Sequence, residues 1–564
     1  MDKISATRLL LIAATTFLVF NTLLVYRDYQ DSWVLEGIEI PYIVFVIAYA
    51  IAFLLEKNVY WTVILAALGR FVFLLIPNLK YAWFQGTAID QQRQLALANH
   101  VRTNGYIFGG EVYGSSPLIH LLFSVFSMTS GLSVADVMKY LPVLLSPLYP
   151  LLTFVIIKNM RLCEKEENAI FKAGLFISSI PFNIQTYVVT GTQFGVLFAF
   201  LVLSGIIVLL QTRDRRYWLV ILIFVFAVAA AHSVTSVLLS IFLMSIIAVQ
   251  KALRFQPRRS LRIPAVLAVI SISAAWLIFQ SPAAMSSMLR TFFFAVPSGT
   301  TPGSEYVPAR FFTLIGANPL AGLSAFLVYY GADAVLLLLS IGGLIVLIKK
   351  RGRLNSTSKF ILILGGILIL SIPLGAILKV GTFRILYFAA ILFPILAGML
   401  VIHLNGRRFI FPVVILSVVV MLAPLELYTC QPLIPSAKVI LANLPADEPV
   451  GYVTQVNSIY QREMIYFALD YIRGRIAGDW LSNSQLVGLT TYNFSNTYLL
   501  WYYPLNTQVP KQTYEFFLIH IPGKSGTFGE KAEIRTHDLI LSQIYNSSIL
   551  YDNGESYVLH DKLR

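Results

Sequence analysis

Apolar run follows apolar run along this chain, with only short polar or basic breaks between them. A helix needs roughly 20 apolar residues to cross a bilayer. Inside hydrocarbon only helices and closed barrels satisfy their own backbone polar groups. The pattern therefore restricts the chain to a polytopic α-helical membrane protein. Composition agrees where it bears on the point. Charged residues make up 12% of the chain, and a soluble protein of this length would carry about twice that fraction. The first run, Leu9 to Tyr26, lacks a small-residue cleavage site and reads as a retained helix.

Spans are expected at about 7–26, 40–55, 59–77, 135–157, 168–182, 192–211, 217–231, 233–250, 261–280, 333–348, 359–378, 385–402 and 408–425. The run 117–130 is short for a crossing and reads as a juxtamembrane or re-entrant helix. About 13 transmembrane helices result. With the N-terminus in the cytoplasm, the inner loops collect Lys158, Arg161 and Lys165, then Arg213, Arg215 and Arg216, then Lys251, Arg254, Arg258 and Arg259, then Lys349, Lys350, Arg351 and Arg353, and finally Arg407 and Arg408. That bias matches the positive-inside rule. It divides the chain into a membrane domain over 1–425, with long outer loops at 78–116 and 281–330, and an extracytoplasmic domain over 426–564.

The outer domain opens on a Pro-rich linker and reads as mixed α/β. Residues 451–456 and 514–521 have strand character, and 462–474 helix character. Residues 549–560 form a hairpin around Asn553-Gly554. Asn493 and Asn546 open glycosylation sequons on this outer domain.

Several function classes fall away. The net charge of +14 sits in clusters between spans, not in a basic stripe interleaved with aromatics, so nucleic acid is not an expected partner. No Walker loop, dinucleotide glycine pattern, His-Glu-x-x-His helix or nucleophile elbow is present. The two cysteines, Cys163 and Cys430, are expected on opposite sides of the membrane and should not pair. The histidines lack metal-ligand spacing, so no metal site is expected. The span interiors are poor in carboxylates, and the ionisable groups gather near the outer face. An enzyme acting on a lipid-borne substrate would place them there, whereas a coupled transporter keeps charge near midplane.

The first outer loop concentrates this chemistry. Asp90 stands where a helix could begin, with Asn104-Gly105 as its stop. Its carboxylate could cap that helix, or act as a general base or ligand at the membrane surface. The two roles are compatible, because a helix N-terminus favours the ionised acid. Arg93, His100 and Glu111 share the loop as candidate substrate contacts. Glu305 and Arg310 lie in the second long loop, where a solvated charge is the alternative reading of Glu305. Lys379 and Arg384 flank the outer end of a span. A guanidinium there suits phosphate recognition or simple snorkelling to the interface. His232 interrupts an apolar stretch near the outer end of its span, as a hydrogen-bonded structural residue or a substrate contact.

Ile89-Asp90 through Gly105-Tyr106, then Tyr113-Gly-Ser-Ser-Pro117-Leu118, resembles the GT-C superfamily of membrane glycosyltransferases. The likeness lies in the acidic residue, the amphipathic helix, the glycine and the tyrosine-x-proline-leucine lead-in to the next helix. Phe383-Arg384 before an aromatic-rich span is similar to that family's donor-phosphate arginine. The layout resembles archaeal members. The resemblance implies a polyprenyl-phosphate (dolichyl-phosphate) sugar as donor, and a glycan, lipid or protein as acceptor. It implies Asp90 as acceptor-activating base, Arg384 and Lys379 on the donor phosphate, and an inverting mechanism needing no cofactor. The oligosaccharyltransferase branch carries a Trp-Trp-Asp-Tyr-Gly motif and a paired acidic metal motif that this chain lacks. Transfer to asparagine is therefore the lesser expectation, beside a non-enzymatic transporter or flippase of lipid-linked sugars.

Overall fold

The computed structural model describes residues 3–26, 37–80, 88–105, 116–160, 172–180, 191–212, 214, 216–252, 263–282, 285–286, 319–350, 354, 356–377, 382–403, 476–479, 497–500, 516–520, 547–552 and 556–561; at 88–93, 319–333 and 382–387 it describes the backbone path. The expected span at 408–425, the strand at 451–456, the helix at 462–474, both cysteines and the sequon asparagines Asn493 and Asn546 lie outside these residues.

The first three helices are α1 (Lys3–Leu24), α2 (Glu39–Leu55) and α3 (Val59–Lys80). Glu56 closes the turn between α2 and α3. Its carboxylate accepts from the backbone N–H groups of Lys57 at 3.0 Å and Asn58 at 2.9 Å, and from Arg8 Nη2 of α1 at 2.8 Å. One acid thus staples three helices at one end of the bundle. Higher up, Tyr49 stacks on Phe45 and Phe176, with Phe73 edge-on to it. Gly69 makes room, since a side chain there would meet the Tyr49 ring at 2.5 Å.

Next come α4 (Ala88–Asn104), α5 (Pro117–Ser130), α6 (Val134–Leu145) and α7 (Leu148–Asn159). The 14 residues of α5 span about 21 Å, short of the roughly 30 Å of hydrocarbon, as its sequence length implied. The span expected at 135–157 is the apolar stretch Val134–Asn159, broken into α6 and α7 at Ser146-Pro147, where Pro142, Pro147 and Pro150 interrupt the backbone ladder. The span expected at 168–182 is also interrupted. Its helix, α8, covers 172–178 and gives way to a turn and a bend at Ser179 and Ile180.

Arg70 caps that break and corrects the expectation that charge avoids the span interiors. It sits midway along α3 and is only 2% exposed. Its Nη1 donates to the carbonyls of Ser178 at 2.9 Å and Ile180 at 3.1 Å, and its guanidinium lies 4.3 Å above the Tyr149 ring. The carbonyls freed where α8 stops are satisfied by a cation, the arrangement a helix C-terminus favours.

A second group comprises α9 (Gly191–Thr212), α10 (Arg216–Ala231), α11 (Ser233–Ala252) and α12 (Ile263–Phe279). Gly195 abuts His232 and Thr235, and Gly205 abuts Ile221, so α9 and α10 are antiparallel. The chain then reverses at His232. Phe388 touches both Phe200 of α9 and Phe242 of α11, which returns alongside. Ser236 and Ser240 of α11 hydrogen-bond Ser273 of α12.

The last helices are α13 (Pro319–Lys349), α14 (Ser356–Ile377) and α15 (Thr382–His403). Residues 319–330, expected within the second outer loop, are helical, with Pro319 in the first position that proline suits. The backbones of α13 and α15 nearly touch: a Cβ on Gly343 would collide with the Leu396 carbonyl oxygen.

Lys158, Lys251 and Lys349 close α7, α11 and α13, and Arg216 opens α10. Helix directions bring all four to the bundle end that holds Glu56. Gln211 bridges that end, donating to the Asn159 carbonyl and the Thr357 hydroxyl. Ala6–Leu24, Val59–Lys80, Val134–Asn159 and Ser233–Lys251 are long and apolar enough to cross a membrane. Many large apolar side chains, among them Ile40, Leu219, Phe226 and Leu370, face outward. An aqueous surface does not favour such a coat, and a bilayer does. This is a polytopic helical membrane protein.

The C-terminal strands form one five-stranded sheet, in the order β2 (Thr497–Leu500), β1 (Ile476–Asp479), β3 (Phe516–His520), β5 (Ser556–Asp561), β4 (Ser547–Asp552). β1 pairs parallel with β2 and β3, and the β4–β5 hairpin pairs antiparallel on the β3 side. β3 and the hairpin fall where the sequence placed strands. β1 and β2, four residues each, were too short to register as strands in the sequence.

Candidate functional site

α4 runs along the end of the bundle opposite Glu56. Its glycine stop is as expected. Gly105 takes the left-handed conformation at φ +74°, and its N–H donates to the Val101 carbonyl at 2.9 Å. Its start differs. The helix begins at Ala88, so Asp90 is its third residue and not its cap. Alanine is the best helix former, and the helix extends back through it. A carboxylate in this first turn still has the favourable end of the helix dipole.

An apolar face fixes α4 in place. Leu95 and Ala98 share a buried cluster with Ile119 and Phe123 of α5, Val134, Val137, Met138 and Leu141 of α6, Phe194 of α9 and Ala231 of α10. One polar contact adds register: the Ser124 hydroxyl lies 2.7 Å from the Ala98 carbonyl and 2.6 Å from that of His120. The solvent face carries Arg102 and Thr103, both exposed. Arg102 stands in the last turn, where a cation complements the dipole.

His100 lies on the buried side, 7% exposed. Its Nδ1 accepts from the Asn104 amide at 2.8 Å, which leaves the ring proton of the neutral form on Nε2. Burial pulls its pKa below the usual histidine value. His120 of α5 is 1% exposed.

His232 occupies the reversal between α10 and α11 and caps α11. Its Nδ1 accepts from the Thr235 backbone N–H at 3.2 Å and lies 2.7 Å from the Thr235 hydroxyl. This is N-cap geometry with an imidazole in place of the usual short side chain. The structural alternative for this residue therefore has a specific form.

α15 begins at Thr382, so Arg384 is its third residue. Gln211 near the end of α9 meets Thr357 at the start of α14, and α15 returns from the far end of α14, so α9 and α15 run in the same direction, with Phe200 and Phe388 side by side. The start of α15 therefore shares a bundle end with the start of α9, and so with α4. Asp90 and Arg384 both stand in first helical turns at that end. Arg93 lies one turn along α4 from Asp90. Glu111, Glu305, Arg310 and Lys379 lie outside the described residues.

Sequence reading passed over three polar groups at this end. Lys80 is wholly buried in the last turn of α3, Asn78 is 4% exposed, and the Tyr140 hydroxyl approaches the Asn78 carbonyl at 3.5 Å. The signal available was a polar pair closing an otherwise apolar span. Among the described residues, no group of three His, Cys, Asp or Glu is placed to hold a metal ion.

No protein-family model and no curated protein matches the chain. Among solved structures, the Archaeoglobus fulgidus oligosaccharyltransferase in complex with zinc and sulfate is similar over 89% of this chain and 73% of its own, at 12% identity and TM-score 0.49. The archaeal oligosaccharyltransferase AglB from Archaeoglobus fulgidus, with an inhibitory peptide and a dolichol-phosphate, covers 89% and 74%, at 9% identity and TM-score 0.49. The arabinofuranosyltransferase AftD from Mycobacteria covers 90% of this chain and 40% of its own, at 11% identity and TM-score 0.42. At such values a likeness decides neither fold nor activity.

Proposed function

We propose that the chain is an integral-membrane glycosyltransferase of GT-C type, moving a sugar from a polyprenyl-phosphate donor to an acceptor hydroxyl on the outer face of the membrane. The observation that carries the reading is the shared bundle end. A carboxylate and a guanidinium stand in the first turns of two different helices there, α4 and α15. Basic helix ends gather at the opposite end, which the positive-inside rule makes cytoplasmic.

The reaction is a single displacement. The acceptor oxygen attacks the anomeric carbon, and Asp90 takes its proton. The bond from that carbon to the phosphate oxygen breaks, and the electron pair leaves with the phosphate. Arg384 and Lys379 stabilise the charge that develops there. Inversion follows from attack on the face opposite the leaving group. The lipid tail stays in the bilayer throughout. Arg93, His100, Glu111, Glu305 and Arg310 remain candidate substrate contacts. His100 would act from the buried side of α4, and His232 chiefly through the cap it makes.

One observation favours the transporter reading: a buried arginine and a broken helix at mid-depth are features of substrate pathways. Here the guanidinium holds the C-terminal end of α8, which is a structural use of the charge.

The test is transfer from polyprenyl-phosphate sugars by purified protein, with Asp90→Asn beside wild type. General-base help contributes roughly 10²–10⁴-fold, and the variant should lose activity on that scale while keeping its melting temperature. Equal activity would remove Asp90 as base. A wild type inert towards a broad donor panel would favour transport.

A further inference from the structure

Arg70 lies midway along α3, not at the helix ends that carry the proposed reacting groups, yet its contacts lead to one of those helices. The guanidinium ends α8 by holding the Ser178 and Ile180 carbonyls. Four residues before Ser178, Gly174 of α8 lies against α15. A side chain there would meet the Pro394 carbonyl oxygen at 3.3 Å and Ile157 at 3.1 Å. Pro394 is the proline inside α15, where one ladder hydrogen bond is missing and the helix bends most easily.

The same level of α15 also meets α13. The Ser340 hydroxyl lies 2.6 Å from the Leu336 carbonyl of its own helix and 3.1 Å from the Phe393 carbonyl of α15, and Gly343 brings the α13 backbone onto Leu396. Two elements, α8 and α13, thus converge on residues 393–396, and Arg384 stands ten residues above the proline. The direction in which the upper half of α15 leaves this clamp decides where Arg384 stands.

We infer that Arg70 is a positioning residue for Arg384: by fixing the end of α8 it seats Gly174 on the proline of α15 and so sets the line of the half-helix that carries the donor-phosphate arginine. The functional half of this inference rests on the role proposed for Arg384; the geometrical half does not. A lysine keeps the charge but is shorter and lacks the guanidinium plane that lies over Tyr149. Its ammonium has donors enough for both carbonyls but stops short of where Nη1 stands, so the two bonds that end α8 lengthen.

The experiment uses full-length protein in nanodiscs, with Cys163→Ser and Cys430→Ser. Spin labels are placed at Thr103→Cys, which is exposed on α4, and at Thr382→Cys, the first residue of α15. Distance distributions are compared for wild type, Arg70→Lys and Gly174→Ala. Expected is a shifted or broadened distance in both variants. In transfer assays, KM for a polyprenyl-phosphate sugar should rise several-fold, with KM for the acceptor unchanged. An unchanged distance in Arg70→Lys and Gly174→Ala would overturn the inference, whatever the activity. So would a changed distance with equal rises in both KM values, which is the mark of general loosening. If wild type transfers no sugar, the glycosyltransferase reading fails while the distance comparison still decides the role of Arg70. Gly174→Ala keeps the test open should Arg70→Lys fail to fold.

Discussion

Glu56 shows how much one side chain can organise when it is buried at a helix turn. Burial alone would raise its pKa; Arg8 and the N–H groups of Lys57 and Asn58 outweigh burial and hold the carboxyl below its usual range. A carboxyl depressed in the folded state contributes stability above its unfolded value of about 4.3, and loses that contribution as pH falls through the folded value. Glu56→Gln should therefore melt lower than wild type at pH 7, and the gap should close as pH falls below about 4. A gap that persists in acid would mean the variant damages packing instead. Residues of this kind are only half legible in a sequence. Glu56-Lys-Asn58 is visible as a break between spans, but its partner Arg8 lies 48 positions away. Arg70 was missed for the same reason: the carbonyls that make it tolerable are 108 and 110 residues distant. Asp90 was legible as a helix-start acid. The helix start beside it lies three residues earlier than that reading, because propensity at Ala88 extends the helix backwards.

Most helices could be read from the chain, since apolar run length decides them. α5 was placed correctly as a short helix on length alone, and the hairpin of β4 and β5 on its turn residues. Interruptions were harder. The split of α6 from α7 has local causes in three prolines, whereas the end of α8 is made by another helix. The α10–α11 reversal sits between, because His232 was noticed but its office was not. The cap gives a discriminating prediction. His232→Ala removes the acceptor for Thr235 N–H and should cost about 0.5–2 kcal/mol of stability. His232→Asn keeps a capping acceptor and should recover most of it, as read by thermal unfolding in detergent. If Asn and Ala lose sugar transfer equally while Asn restores stability, the imidazole itself contacts substrate and the cap is secondary.

The whole molecule reads as a bundle with unlike ends: one basic and tied by Glu56 and Gln211, the other polar, roofed by α4 and receiving the first turn of α15. Impermeant maleimide added to intact cells should label Thr103→Cys, and should reach Asp214→Cys only after permeabilisation, both in a Cys163→Ser, Cys430→Ser background. The reverse pattern would invert the proposed orientation and carry the donor site to the cytoplasm. The single residue between α10 and α11 has a consequence for biogenesis. Two apolar segments with no hydrophilic tract between them offer the insertion machinery nothing to translocate separately. They should partition into lipid together as a helical hairpin, and lengthening the His232 turn by a few polar residues should uncouple their insertion.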